Sequence, residues 1–355
     1  MSNRNVTVLG AGVVGMATAV HLLRDGHQVT VVDRDEPGQG CSFGNAGILA
    51  PTYCIPLSMP GMVWNVPSWL LNPLGPLALR WRDMALLTPW FIRFLLAGTK
   101  NRSDASSVAL RALHENCVRD FQAFFDSMGA GDQIKPSGMI YAYETAKGFA
   151  KSAGNWDIIR ARGAKAEVLN AGQIQEMVPG ISPNCAQGIH LPEDGQVVSP
   201  IKAVETMAEE FRKGGGVILK REVRDVEAGG DGPTRLITDG EAMDLDALVV
   251  AAGAFSARFS KRLGSPVPLV GERGYHVTLP DPGIKTNLPV MSGECHFAMT
   301  SFEMGFRAAG TAEFASLNAP ANYDRARVLL THLKRIFPDV NTEGYSEWMG
   351  RRPSL

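Results

Sequence analysis

A glycine pattern near the amino end narrows the folds open to this chain more than anything else in its 355 residues. Val6-Thr7-Val8-Leu9 runs into Gly10-Ala11-Gly12-Val13-Val14-Gly15, and Asp33 follows about 20 residues on, the interval expected of a βαβ unit that holds a dinucleotide. Residues 5–9 have the apolar, β-branched character of a buried parallel strand. Gly10 permits the tight turn out of it, Gly12 removes the Cβ that would keep a pyrophosphate off the backbone, and Gly15 lets the next helix sit close on the sheet. The pattern predicts a helix from Val13 to Arg24, a stop at Gly26, and a second strand from Gln28 to Val32. Backbone groups of Gly10, Ala11, Gly12, Val13, Val14 and Gly15 would then face the phosphates, at the positive end of the helix dipole. Asp33 would lie beside a ribose. A carboxylate accepts hydrogen bonds from a free 2′-hydroxyl and repels a 2′-phosphate, so FAD and NAD fit and NADP does not.

The segment after the acid separates those two. Cys41-Ser42-Phe43-Gly44-Asn45-Ala46-Gly47 is a polar, small-residue loop. A flavin's ribityl chain and ring reach further than a nicotinamide, and Ser42, Asn45, Ala46 and Gly47 would meet them, which favours FAD. Ser, Asn and Gly are also common turn residues, so an ordinary surface turn is the competing reading. Leu248-Val249-Val250-Ala251-Ala252-Gly253 is an apolar strand ending in small residues. There Ala252 and Gly253 permit close approach of a cofactor, or tight packing beneath a helix.

Charge and composition exclude several classes. Lys and Arg number 35 against 36 Asp and Glu, a net charge near −1, which leaves no electrostatic footprint for nucleic acid. Five scattered cysteines make no CxxC pair and the histidines show no ligand spacing, so reduced thiols and no metal are expected, in a cytoplasmic protein. Four of the six tryptophans (Trp64, Trp69, Trp81, Trp90) fall between Pro60 and Gly98. The most apolar run there, Met84 to Gly98, is too short and too broken by Pro89 and Arg93 to span a bilayer. It reads as a helix packed on the core, or as an interfacial patch resting peripherally on the inner face of the cytoplasmic membrane.

Along the chain, residues 1–47 form the opening βαβ half. Prolines 51, 56, 60, 67, 73 and 76 punctuate the next stretch. A long helix is expected from Ser103 to Met128, with Val108, Leu110, Leu113, Val118, Phe121, Phe124 and Phe125 on its apolar face. A strand is expected over 138–143 and a helix over Ala146 to Arg162. Ser199-Pro200 starts another helix, and the glycines at 214–216 end it. Strands near 217–219, 223–227, 235–238 and 248–253 return to nucleotide-fold character, followed by β alternation to about Ala309 and a helix from Tyr323 to Phe337. The expected fold class is α/β, a Rossmann-type FAD-binding domain carrying an inserted, largely antiparallel β-sheet substrate domain. FAD-binding segments are assigned to 1–47 and 161–265, and substrate-domain segments to 48–160 and 266–348.

Several of these segments together resemble the FAD-dependent D-amino-acid oxidase superfamily, most closely its D-amino-acid dehydrogenase (small subunit) branch. The carriers are the glycine motif with Ala19, Val31-Val32-Asp33-Arg34, Cys41 to Gly47, Val249 to Ser256, Glu272-Arg273-Gly274-Tyr275-His276, Gly310-Thr311-Ala312-Glu313, and Trp348-x-Gly350-x-Arg352-Pro353. The resemblance covers essentially the whole chain. Asp33 stands where the family more often has glutamate, which does the same chemistry. The resemblance also leads us to expect further chain after Leu355, with residues 349–355 opening a last FAD-binding segment.

The resemblance implies FAD as cofactor, met also by Arg34 and Val223. It implies oxidation of a small amino acid, specifically a D-amino acid, to a 2-oxo acid and ammonia, with hydride leaving the α-carbon for FAD and electrons passing to a quinone or other carrier. In this family position Arg352 binds the substrate carboxylate through its planar fork. A structural ion pair is the alternative for Arg352, and Arg351 is the neighbouring candidate. Tyr275 and His276 would line the site, unless they belong to a strand with one face on the core. Arg307 is a weaker candidate, equally readable as a solvated strand charge. An oxygen-using glycine/sarcosine-type amine oxidase and a truncated, non-catalytic FAD-binding subunit are the competing functions. Oligomeric state is not fixed by the sequence.

Overall fold

A computed structural model describes residues 3–62, 75, 77–230 and 232–355. Trp64, Trp69, Pro67, Pro73 and Pro76 lie outside the described residues. The opening unit forms as the glycine spacing requires: strand Asn5–Leu9, helix Val13–Arg24, strand Gln28–Asp33. Gly26, at φ +88°, closes the helix while His27 N–H bonds back to Leu22 C=O. Four parallel strands make one sheet, in the order Val217–Lys220, Gln28–Asp33, Asn5–Leu9, Ala247–Val250. Helices Val13–Arg24 and Pro200–Lys213 pack over it, burying Met16, Ala19, Val20, Val204, Met207 and Phe211. The second helix begins at the expected cap, where Ser199 Oγ accepts the Lys202 N–H.

A nine-stranded, mainly antiparallel sheet forms the second layer. Its spine is Val270–Leu279, flanked by Gly305–Phe314 on one side and Ser346–Ser354 on the other. Helix Asp324–Ile336 covers one face and seals a core of Tyr275, Val277, Leu279, Met299, Phe306, Leu329 and Leu333. Residues 161–265 contribute to both sheets and also form a small antiparallel sheet of their own, Val223–Gly229, Gly232–Thr238 and Met243–Asp244. Glu167–Asn170 and Gln187–Leu191 pair into the large sheet, and the chain rejoins the parallel sheet only after Pro200. Residues 349–354 likewise continue a strand of the large sheet.

The single helix expected from Ser103 to Met128 is instead two, Lys100–His114 and Cys117–Asp126. The break lets the two apolar stretches face different neighbours. Leu110 packs with Met139, Tyr143 and Trp156, whereas Phe121, Phe124 and Phe125 pack beneath the fingerprint helix. Val108 and Leu113, expected on one apolar face, are exposed. Met84–Ala97 is helical, with Trp90 buried against Phe91, Phe94 and Phe314. Among the described residues no helix is long and apolar enough to cross a membrane.

Candidate functional site

The glycine turn is shaped by its neighbours. Gly10 sits at φ +114°, and a Cβ there would fall 2.4 Å from the Ala251 carbonyl oxygen; one on Gly15 would fall 1.8 Å from the Gly10 carbonyl oxygen. These two glycines allow strand and helix to close together. Gly12 is different, since a Cβ there would meet only the Ser42 hydroxyl, at 3.2 Å, and one on Gly253 would meet nothing within 4 Å. Open space therefore lies over Gly12 and Gly253, and Val14 in the first helical turn is exposed. The first helical hydrogen bond is Met16 N–H to Gly12 C=O, so the helix makes no use of the N–H groups of Val13, Val14 and Gly15. Ser42 Oγ accepts the one from Val13 at 2.9 Å.

Asp33 is held at the mouth of this turn. Its Oδ2 accepts Ala11 N–H at 2.7 Å and its Oδ1 accepts Asp35 N–H at 3.1 Å. Each carboxylate oxygen keeps capacity for a further donor, such as a ribose hydroxyl. Arg34 turns away to stack on Phe255, 4.4 Å from the ring centre. Arg221 N–H bonds Asp33 C=O, which brings Val223 to the same edge of the sheet; Val223 and Ala252 pack in one cluster with Leu9. This cradle fits a dinucleotide in its parts: uncommitted helix-tip donors, a ribose-facing acid, and two glycines bordering empty space. FAD would be held there by Gly10 to Gly15, Asp33, the Ser42–Gly47 turn and Ala252-Gly253.

The Cys41–Gly47 segment joins the two layers. Cys41–Gly44 is a short helical turn, and Asn45 Oδ1 closes the loop by accepting Gly47 N–H at 2.8 Å. Its carbonyls are taken by the large sheet. His276 Nδ1 bonds Gly44 C=O at 3.0 Å, Thr300 Oγ1 donates to Ala46 C=O, and Arg307 Nη1 donates to both Phe43 C=O and Asn45 C=O. Trp348 lies over Gly44, where a Cβ would be 2.2 Å from the indole. Arg307, 1% exposed, is not the solvated charge the sequence allowed. It lies over the rings of Phe43 and Phe302, and burial lowers its pKa to about 10. The roles of Trp348, Thr300 and Arg307 escape sequence reasoning, because Thr300 and Arg307 act on backbone carbonyls, and Trp348 packs on a glycine, far away in the chain.

Strand alternation separates two residues that the sequence placed together. Glu272, Gly274, His276 and Thr278 face the Cys41–Gly47 turn, whereas Arg273, Tyr275, Val277 and Leu279 face the helix-covered core. Tyr275 therefore does not line the site beside His276. Its hydroxyl donates to Glu313 and accepts Asn322 N–H, and burial raises its pKa to about 12. His276 stacks on Trp348 with ring centres 4.9 Å apart, and burial, aided by Arg307, lowers its pKa to about 3. It is neutral, and because a carbonyl only accepts, the proton belongs on Nδ1, leaving Nε2 as an acceptor. Arg351 and Arg352 diverge in the same way. Arg351 Nε donates to Leu317 C=O, whereas Arg352 lies across Gly274 and pairs with Glu272 on the side of the turn.

This arrangement of a nucleotide-binding α/β layer under a large antiparallel sheet defines a flavoprotein of the oxidoreductase type. The chain belongs to the FAD dependent oxidoreductase family, whose model matches residues 5–355. It is 33% identical over 359 residues to a D-amino-acid oxidase of Bradyrhizobium diazoefficiens, covering 99% of this chain and 85% of the relative. It is 29% identical to a D-amino acid dehydrogenase of Granulibacter bethesdensis, covering 98% and 85%. Among solved structures, the glycine oxidase of Geobacillus kaustophilus superposes with a TM-score of 0.70 at 20% identity, covering 100% of this chain and 84% of the other.

Proposed function

We propose that this chain oxidises a D-amino acid at its α-carbon to give, after hydrolysis, a 2-oxo acid and ammonia, and that the electrons pass to a quinone or other carrier. FAD, when bound, accepts the hydride, so the protein's task is orientation and electrostatics. The observation that carries this reading is the position of Arg352, a guanidinium on the sheet face that also clasps the Cys41–Gly47 turn. There it would take the substrate carboxylate through two charge-assisted hydrogen bonds. His276, neutral and fixed by Gly44, holds the turn against the sheet and excludes a competing positive charge. The relatives named for D-amino acids support the choice of substrate class.

A second reading keeps the substrate and changes the acceptor to oxygen. The relative named as an oxidase favours it. Membrane contact belongs with the quinone reading. Trp81, Leu86, Ile92, Leu95 and Leu96 are exposed on and beside helix Met84–Ala97, among Arg80, Arg82, Arg93, Lys100 and Arg102. The test is anaerobic mixing of the FAD-loaded protein with D- and L-amino acids while following flavin absorbance. D-amino acids are expected to bleach it, and Arg352→Ala to raise the substrate concentration required by roughly a hundredfold, the loss of two charge-assisted bonds. Bleaching of the variant at parental concentrations defeats the assignment. In air, stoichiometric peroxide identifies oxygen as acceptor, and rapid quinone reduction with little peroxide identifies the carrier.

A further inference from the structure

Glu272 is a carboxylate to which the assignment of Arg352 as carboxylate site gives no task. It stands directly across from Arg352, on the side of the Val270–Leu279 strand that faces the Cys41–Gly47 turn. Its Oε1 accepts from Arg352 Nη2, and its Oε2 accepts from Ser354 Oγ at 3.1 Å. The side chain of Arg352 is 44% exposed and that of Glu272 only 14%, so the cation is the open partner. Arg352 Nε is buried without a hydrogen-bond partner among the described residues. The Tyr53 phenol lies in the field of both charges: desolvation raises its pKa most, Glu272 raises it further, and Arg352 opposes. The Cys41 thiol also feels Arg352. The ion pair thus lies within electrostatic reach of Cys41, at the start of the turn that would meet FAD, and of Tyr53.

A guanidinium paired to an internal carboxylate is not free to grip the substrate's. Release of Arg352 would strand a largely buried Glu272, which is costly unless another cation replaces it. A zwitterionic amino acid brings that cation on the atom next to its α-carbon. We propose that Glu272 is the acceptor for the substrate's α-ammonium group, the amino acid inserting into the Glu272–Arg352 pair so that one ion pair becomes two. The proposal rests on Arg352 as the carboxylate site. It makes the enzyme select zwitterions over simple carboxylates, because a monocarboxylate gains Arg352 only by leaving Glu272 alone. Ser354 keeps the Glu272 carboxylate in place through the exchange.

The test compares two ligands on the FAD-loaded, full-length protein: an amino acid that bleaches it, with its dissociation constant taken from anaerobic stopped-flow reduction, and benzoate, followed by perturbation of the flavin spectrum. In Glu272→Gln the amino-acid dissociation constant is expected to rise roughly tenfold or more, the loss of one charge-assisted bond. Benzoate is expected to bind more tightly than to the parent, because its competitor for Arg352 is gone. Parallel weakening of both ligands, or no change in either, overturns the proposal and leaves Glu272 a structural partner. If the Gln variant does not load flavin, Glu272→Asp is read in its place. A retained preference for the zwitterion supports the proposal, and equal affinity for the two ligands overturns it. Failure of the underlying reading looks different: no amino acid bleaches the parent, or Arg352→Ala leaves both affinities unchanged.

Discussion

Asp194 offers a quantitative test of how the loop leading away from the flavin turn is anchored. Its carboxyl is fully buried, and among the described residues its side-chain hydrogen bonds come from Thr52, through N–H at 3.2 Å and Oγ1 at 3.1 Å. Desolvation raises its pKa to about 7; the Thr52 bonds and Arg111 oppose this, and Glu193 adds to it. The folded state therefore holds a proton that the unfolded state, titrating near the ordinary 3.8, has already lost. A raised folded pKa means stability that is fully present below about pH 4 and is lost as pH rises through about 7. Between pH 5 and 7 that is two pH units at about 1.4 kcal/mol each, or about 3 kcal/mol. Asp194→Asn keeps the shape and an acceptor for Thr52 N–H but removes the titration. The free-energy difference between variant and parent, from urea unfolding followed by tryptophan fluorescence, should move by about 3 kcal/mol in the variant's favour between pH 5 and pH 8. His276 titrates in both proteins, and its opposite slope cancels in the difference: with a folded pKa of about 3, its contribution is lost as pH falls below about 6.5. A difference that does not change with pH refutes the reasoning, because it would mean that Asp194 is ionised in the folded protein.

Gly15→Ala should abolish FAD uptake, measured by flavin absorbance after gel filtration, since its Cβ would fall on the Gly10 carbonyl oxygen and force helix and strand apart. Tyr275→Phe removes the hydroxyl that joins Glu313 to Asn322 N–H; it should cost about 1–3 kcal/mol in urea unfolding while leaving kcat/KM unchanged, and a large fall in kcat/KM would place Tyr275 in the site after all. Exposed apolar residues among arginines on and beside Met84–Ala97 should bind vesicles containing anionic lipid in flotation, and Leu86→Glu with Leu95→Glu should abolish that binding without changing amino-acid oxidation.

The parallel layer was legible because its constraints are local. Gly15 packs on the Gly10 carbonyl, Gly26 closes the same helix, and Asp33 reaches Ala11 only 22 residues back, so the spacing of one βαβ unit carries them. The caps at Ser199 and Gly214 are legible for the same reason. The break between His114 and Cys117 was not, because both stretches are apolar with helical period; what separates them is that their partners lie on different cores. Nor were the contacts of Arg307, which spans 264 and 262 residues to reach Phe43 and Asn45. A guanidinium that spends its long-range bonds on main-chain oxygens leaves no complementary charge to look for.

The strand Val270–Leu279 shows why the site itself was half legible. Residues 272–276 carry the family resemblance as one block, and a block invites one role for all its members. The pleat forbids that, because neighbouring side chains leave a strand on opposite faces. Arg273 and Tyr275 go to the buried side, where Arg273 satisfies the carbonyls of Ser316, Ala319 and Pro320 and Tyr275 meets Glu313. Those contacts fix the strand's height and rotation against helix Asp324–Ile336. The other side then presents Glu272 and His276 to the Cys41–Gly47 turn and to Arg352 at set positions. The core-facing residues thus hold the strand and the other face meets the site, so substitutions should separate accordingly, those at 273 and 275 in unfolding free energy and those at 272 and 276 in ligand affinity.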